Sequence, residues 1–198
     1  VLYLALGLRF LVGGVFLVSF LTKVSRRTSF REFVISVRGM RVLPEVLIVP
    51  VAVAVVAVEF LICALLAFPA QRAALAGLGL AAGALLSFAL GVAGAVRRGV
   101  REPCRCFGVS QTPLGRRHVV RNVTLTVLAL VGAAAGSADG RMSAVGATVA
   151  MAAGLLLAWL VVASDHILDL FRPAPPPPGS ANGRRLSAVP KKETSWLF

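Results

Sequence analysis

Five long apolar runs, separated by short polar connections, set the pattern of this chain: residues 1–21, 46–68, 73–96, 119–135 and 144–163. A helix rising 1.5 Å per residue needs about 20 apolar residues to cross about 30 Å of hydrocarbon, and the shortest of these runs still lies within the tolerated range. In lipid each backbone must satisfy its own polar groups, so every run predicts a helix. The fold class is all-α, a multi-pass transmembrane bundle of about five spans. The first run has no basic leader and no evident small-residue cleavage site before Lys23, so it reads as a span and not as a cleaved signal.

The period changes between the first two runs. Phe30, Phe33, Val34, Val37 and Met40 recur at helical spacing opposite Arg31, Glu32 and Ser36, and Ser29 with Glu32 has the spacing of a capping box. This predicts an amphipathic helix that ends before Pro44, lying in the membrane interface or packed on the bundle. Gly79, Gly83, Ser87 and Gly91 form a small-residue stripe in the third span, and Gly146, Ala150 and Gly154 form another in the fifth. Such stripes let helices approach closely, within one chain or in a helix–helix oligomer. The predicted division is a transmembrane domain over 1–171 and a proline-rich, basic, disordered tail over 172–198, a stiff spacer followed by a polar run.

Composition agrees with the pattern: 58% of the residues are hydrophobic, only 15% are charged, and the mean hydropathy is +0.86. The lipid bilayer is the first partner. A net charge of +13 would suit nucleic acid, but Lys and Arg are confined to short connections instead of one basic domain. The first connection carries Lys23, Arg26, Arg27, Arg31, Arg38 and Arg41, and the third carries Arg97, Arg98, Arg101, Arg105, Arg116 and Arg117. The tail adds Arg172, Arg184, Arg185, Lys191 and Lys192, whereas the opposite side has only Arg72 and Arg141. The positive-inside rule then predicts a multi-pass protein of the inner (plasma) membrane, with the third connection and the tail in the cytoplasm.

Ionisable groups within spans need a partner or a task. Arg9 and Glu59 fall at similar depths counted from the outer ends of their runs, so they are expected to pair, either fixing helix register or forming a proton or quinone-headgroup site. Cys63, one turn from Glu59, reads as a packing residue. Cys104 and Cys106 differ. Pro103 and Gly108 bracket them as a turn, and Arg101 and Arg105 favour thiolate. A disulfide across a single intervening residue closes a small ring and is easily reduced, which suits an exchanging pair. His118, Arg121 and Asn122 open the fourth span while Asp165, His166 and Asp169 close the fifth, all on the side of the thiol loop. Either histidine could accept a thiol proton. Two thiolates with His118 and either His166 or Asp165 would make four zinc ligands, but the spacing matches no common zinc pattern, so no metal is assigned.

Cys104-Arg105-Cys106-Phe107-Gly108 followed by Arg121-Asn122 resembles the MauE family of methylamine-utilisation membrane proteins. Arg9, Gly14 and Lys23 in the first span and Glu59 in the second resemble the wider DoxX-like redox-associated membrane proteins. The resemblance runs from about Arg9 to the end of the fourth span, and Arg105 stands where Gly is usual. It implies a four-helix DoxX-like core plus one span, and a component supporting thiol/disulfide exchange or electron transfer with a thioredoxin-like partner, as in methylamine dehydrogenase maturation. Cys104 and Cys106 would then be the redox pair of a thiol-disulfide oxidoreductase component. The alternative is a non-enzymatic membrane scaffold that recruits a partner, its cysteines passive or metal-bound.

Overall fold

The computed structural model describes residues 1–40, 42–99, 115–137, 140 and 142–170, the side chains of 165–170 excepted. Among these residues there are six helices: α1 (Leu2–Val24), α2 (Arg27–Gly39), α3 (Glu45–Ala67), α4 (Gln71–Arg97), α5 (Arg116–Gly136) and α6 (Ala144–Leu170). All but α2 are long and apolar enough to cross a membrane, α6 over Ala144–Ser164. The chain is an integral membrane protein. Val46, Phe60, Leu90, Val120 and Trp159 are more than half exposed, as lipid-facing side chains should be.

Four of the spans form a square in which α1 touches α3, α3 touches α4, α4 touches α5 and α5 returns to α1. Across the diagonals α1 meets α4 slightly, and α3 and α5 do not meet. Leu11, Val12, Val15 and Phe16 of α1 fill the centre with Ile62, Leu66, Leu78, Leu85, Leu125 and Ala129. The fifth span, α6, packs against α1. A four-helix core plus one span is thus what forms.

The contact between α1 and α6 depends on the absence of side chains. A Cβ on Gly154 would collide with the backbone of Gly7, and one on Gly14 would stand 2.8 Å from the Ala158 methyl. First and fifth spans of an odd-numbered bundle run parallel, and Tyr3 holds the entry to α6 by accepting a 2.9 Å bond from the Ser143 N–H. The stripe in α6 therefore does pack. The one in α4 does not: a Cβ on Gly79, Gly83 or Gly91 would meet nothing within 4 Å, so that face points away from the bundle. Spacing identifies a smooth face without saying which neighbour uses it.

The amphipathic helix α2 starts earlier than a capping box at Ser29 predicts. Arg26 is extended and acts as N-cap without a side-chain bond, and its carbonyl accepts from Ser29 and Phe30. Because Ser25 still closes α1, the two helices are nearly continuous and Ser29 falls within the first turn. Ser36 also departs from its expected polar face: with Phe33 it is buried where α2 meets α1 and α3, while Ile35 points outward. At the same end of the bundle α4 stops abruptly, since Gly99 takes φ +74°, a conformation that glycine adopts without a Cβ penalty.

Replacing Gly154 with Leu is expected to cost about 1–3 kcal/mol through overpacking against α1, whereas Gly83→Leu should be near neutral. Detergent-titration unfolding of the two variants against the parent checks this ranking.

Candidate functional site

Ser19 and Lys23 lie one turn apart on α1, so their side chains share a face. Lysine stems in helices lean toward the N-terminus, and this one does. Lys23 Nζ donates to Ser19 Oγ at 2.7 Å, to the Ser19 carbonyl at 3.3 Å and to Glu59 Oε1 on α3 at 2.7 Å. The Ser19 hydroxyl in turn donates to the same carboxylate oxygen at 2.8 Å. Phe33 of α2 closes the site, its ring centroid 5.0 Å from the ammonium. Lys23 and Glu59 are 2% and 1% exposed, so this is an ion pair wholly removed from solvent. A buried pair is tolerated only when its geometry is good and other groups support it, and here a hydroxyl, a carbonyl and an aromatic face surround the ammonium, and the hydroxyl also serves one carboxylate oxygen.

The expected Arg9–Glu59 pair does not form. Arg9 Nε donates to the Leu66 carbonyl at 2.7 Å, and its Nη2 to that of Phe68, so the guanidinium caps the end of α3. The last carbonyls of a helix lack partners and carry the negative end of its dipole, a suitable seat for a cation. The depth count failed because it took the outer ends of α1 and α3 as level. Leu2 starts α1 about two turns beyond the end of α3, which leaves Arg9 beside the α3–α4 turn and Glu59 far below it. A quinone-headgroup site built on both residues has no such pair to form on.

On α5, Gly132 packs against Leu8 and Gly136 against Ala5, so α1 and α5 run antiparallel. Carrying that register inward brings the turn of Ser19 level with Asn122, and that of Lys23 level with His118. His118 and Asn122 are 5% and 2% exposed, and Arg121 is half-buried. Asn122 gives its carbonyl to the Thr126 hydroxyl at 2.8 Å. One layer of the bundle interior therefore holds Ser19, Lys23, Glu59, His118 and Asn122 among otherwise apolar residues. Within the described residues, Glu59 Oε2 and Asn122 Oδ1 are buried acceptors without a hydrogen bond.

This layer lies at the ends of α1 and α5 nearest the connection that carries Cys104 and Cys106. Both cysteines fall outside the described residues, as does the side chain of His166. Among the described residues no group of three or more His, Cys, Asp and Glu is arranged to hold a metal. Cys63 is a free, half-buried thiol on α3.

The model of the family described as methylamine utilisation protein MauE matches residues 1–135. The chain belongs to the MauE family. No curated protein and no solved structure matches it significantly. The MauE match spans α1 to the last turn of α5, so the buried pair, the thiol loop, His118, Arg121 and Asn122 all lie within it, while α6 and His166 do not.

In this MauE-family chain the sequence reading missed Ser19, and it named Lys23 in the DoxX-like pattern of the first span while counting its charge with the first connection and giving it no partner. A signal was present: Lys23 continues the core face of Val12, Phe16 and Ser19 at i+3 and i+4 spacing, so it stands inside the apolar stripe of α1. Moving Lys23 out of the charge count leaves the asymmetry between the two sides intact.

Lys23→Met and Glu59→Leu are each expected to cost about 3–5 kcal/mol, because each leaves an uncompensated buried charge, and the double variant should recover most of that loss. Unfolding of the two singles and the double in one detergent series checks the coupling. A double variant whose loss equals the sum of the two single losses would show that the pair is not coupled.

Proposed function

We propose that this protein supports thiol/disulfide exchange at the plasma membrane, through Cys104 and Cys106, with a thioredoxin-like partner in amine utilisation. The observation that carries the reading is the MauE match, which spans the thiol loop and the buried polar layer together. Further support comes from the connection into α5, whose first turn holds Arg116 and Arg117 at the positive end of the helix dipole, both of which favour thiolate nearby. In the exchange one cysteine thiolate attacks the partner disulfide and forms a mixed disulfide, releasing one partner thiolate. The second cysteine then displaces the other partner sulfur. The partner ends as a dithiol and Cys104–Cys106 as a disulfide, so two electrons pass between the proteins, and the reverse sequence delivers them back. His118, with His166 on α6, is assigned the proton of the attacking thiol. The charge count over the basic connections supports a cytoplasmic side for the loop and the tail.

A second reading, a non-enzymatic scaffold, is favoured by one feature: the exposed stripe of Gly79, Gly83 and Gly91 on α4, a surface suited to a helix of another membrane protein or of a second copy.

Under the exchange reading Cys104→Ser abolishes activity and Cys106→Ser accumulates a mixed disulfide with the partner, or the two roles are interchanged. Non-reducing gels of affinity-purified variants read this directly. If both variants support amine-dependent growth and no mixed disulfide forms, the scaffold reading stands.

A further inference from the structure

A groove of about 400 Å³ runs between α1, α3 and α6, walled by Phe10, Gly13 and Leu17 of α1, Cys63 and Ala67 of α3, and Leu155 of α6. Leu17 and Leu155 are each about half exposed, so the groove opens sideways onto the surrounding lipid. It is apolar along its length except at its head, where Arg9 forms part of the wall. Arg9 also lines a second hollow of about 210 Å³ beside the α3–α4 turn, so its guanidinium stands between two open spaces at the level where α3 leaves the membrane.

Arg9 has five N–H donors, and two of them are used by the carbonyls of Leu66 and Phe68. Those carbonyls orient the guanidinium but carry no formal charge. Among the described residues Arg9 makes no ion pair, and Glu59, the buried acid of the adjacent helix, is held by Lys23. A full positive charge with spare donors thus sits at interface depth, at the head of a chain-sized apolar groove. A neutral carbonyl ligand would use the donors and leave the charge. A zwitterionic lipid would bring a second cation close to the first. A lipid with net negative charge satisfies both terms.

We propose that the α1–α3–α6 groove binds an anionic phospholipid, its phosphate on Arg9 and one acyl chain lying along Gly13 and Leu155. The lipid would fill the space between α6 and the four-helix core beside their glycine contact, making the bilayer's anionic lipid part of how the fifth span seats on α1. The occupant is held by charge at one end and by apolar burial along the rest.

Cys63 in the groove wall is a built-in reporter. The experiment uses the full chain with Cys104→Ser and Cys106→Ser, so that Cys63 is the remaining thiol, in phosphatidylcholine nanodiscs with increasing phosphatidylglycerol. The readout is the rate of N-ethylmaleimide labelling, with native mass spectrometry of retained lipid as a second measurement. Phosphatidylglycerol is expected to slow labelling about fivefold, the size of one cation's preference for an anionic lipid. Arg9→Lys should keep most of that effect. Arg9→Gln should abolish it, and Gly13→Leu, which fills the groove, should lose the retained lipid. A rate indifferent to phosphatidylglycerol overturns the proposal, as does equal slowing in Arg9→Gln. Protection by added ubiquinone but not by phosphatidylglycerol would also overturn it, in favour of a neutral headgroup. Labelling of Cys63 is independent of thiol exchange, so neither outcome bears on the function proposed for Cys104 and Cys106.

Discussion

The bond between Lys23 and Glu59 is the constraint from which the arrangement of the bundle follows. Apolar helices gain little from associating in lipid, since the tails they displace are as apolar as their own side chains. What fixes one register over its neighbours is the need to satisfy groups that lipid cannot. Two cations on α1 do this against α3: Lys23 reaches the Glu59 carboxylate, and Arg9 reaches the last carbonyls of the helix. Two fixed points along one pair of helices determine both their stagger and their relative rotation. A slide of one turn would break the ion pair at one end and take Arg9 from its carbonyls at the other. The same ammonium draws in α2 through Phe33, so the amphipathic helix is seated by the charge that orders α1 and α3.

The other face of α1 obeys a different rule. Toward α6 there is no ion pair among the described residues, and the approach is close because Gly7, Gly14 and Gly154 permit it. Dispersion falls off steeply with separation, so bringing two backbones together is worth more than adding a methyl that holds them apart. One helix thus carries a polar, register-setting face and a smooth face of small residues. Its position between the square of four spans and α6 is a consequence of carrying both. The boundary of the family match falls along the same division, with the four core spans inside it and α6 outside.

How far all this could be read from sequence depends on what each feature requires. Hydrocarbon thickness is a single length, so the five spans were legible to within a few residues at most ends, and so was the change of period that marks α2. Pairing was not. Arg9 and Glu59 were the evident intramembrane charges, but their partners depend on the offset between α1 and α3, which the lengths of the apolar runs do not give. Lys23 was hidden by its place at the end of a run, where a lysine usually reaches the interface. Its membership of the core stripe with Phe16 and Ser19 was the better guide. The stripes show the same limit, since identical spacing gave a packed face in α6 and an open one in α4. Of the candidate site, the sequence named His118, Arg121 and Asn122, and the structure buries the first and third at the level of the ion pair; Cys104 and Cys106 lie outside the described residues.

On the proposed reading, the position of the thiol loop in the chain has a physical rationale. Exchange needs sulfurs that a partner can reach, carried on anchor points that do not move when the partner pulls. The loop departs from α4 just after Gly99 and enters α5 just after Gly115, and those two helices share the most extensive contact in the bundle. The partner would thus meet a loop tied at both ends to the most extensively packed pair of helices. Thiolate chemistry there also requires positive charge that does not itself collapse onto a carboxylate. Glu59 is the acid buried in the polar layer, and Lys23 and Ser19 already hold one of its oxygens. With that acid engaged two helices away, the arginines at the start of α5 would remain to favour a thiolate in the connection. The buried pair would then serve the chemistry indirectly, by removing from the inner layer a negative charge that would otherwise oppose the thiolate.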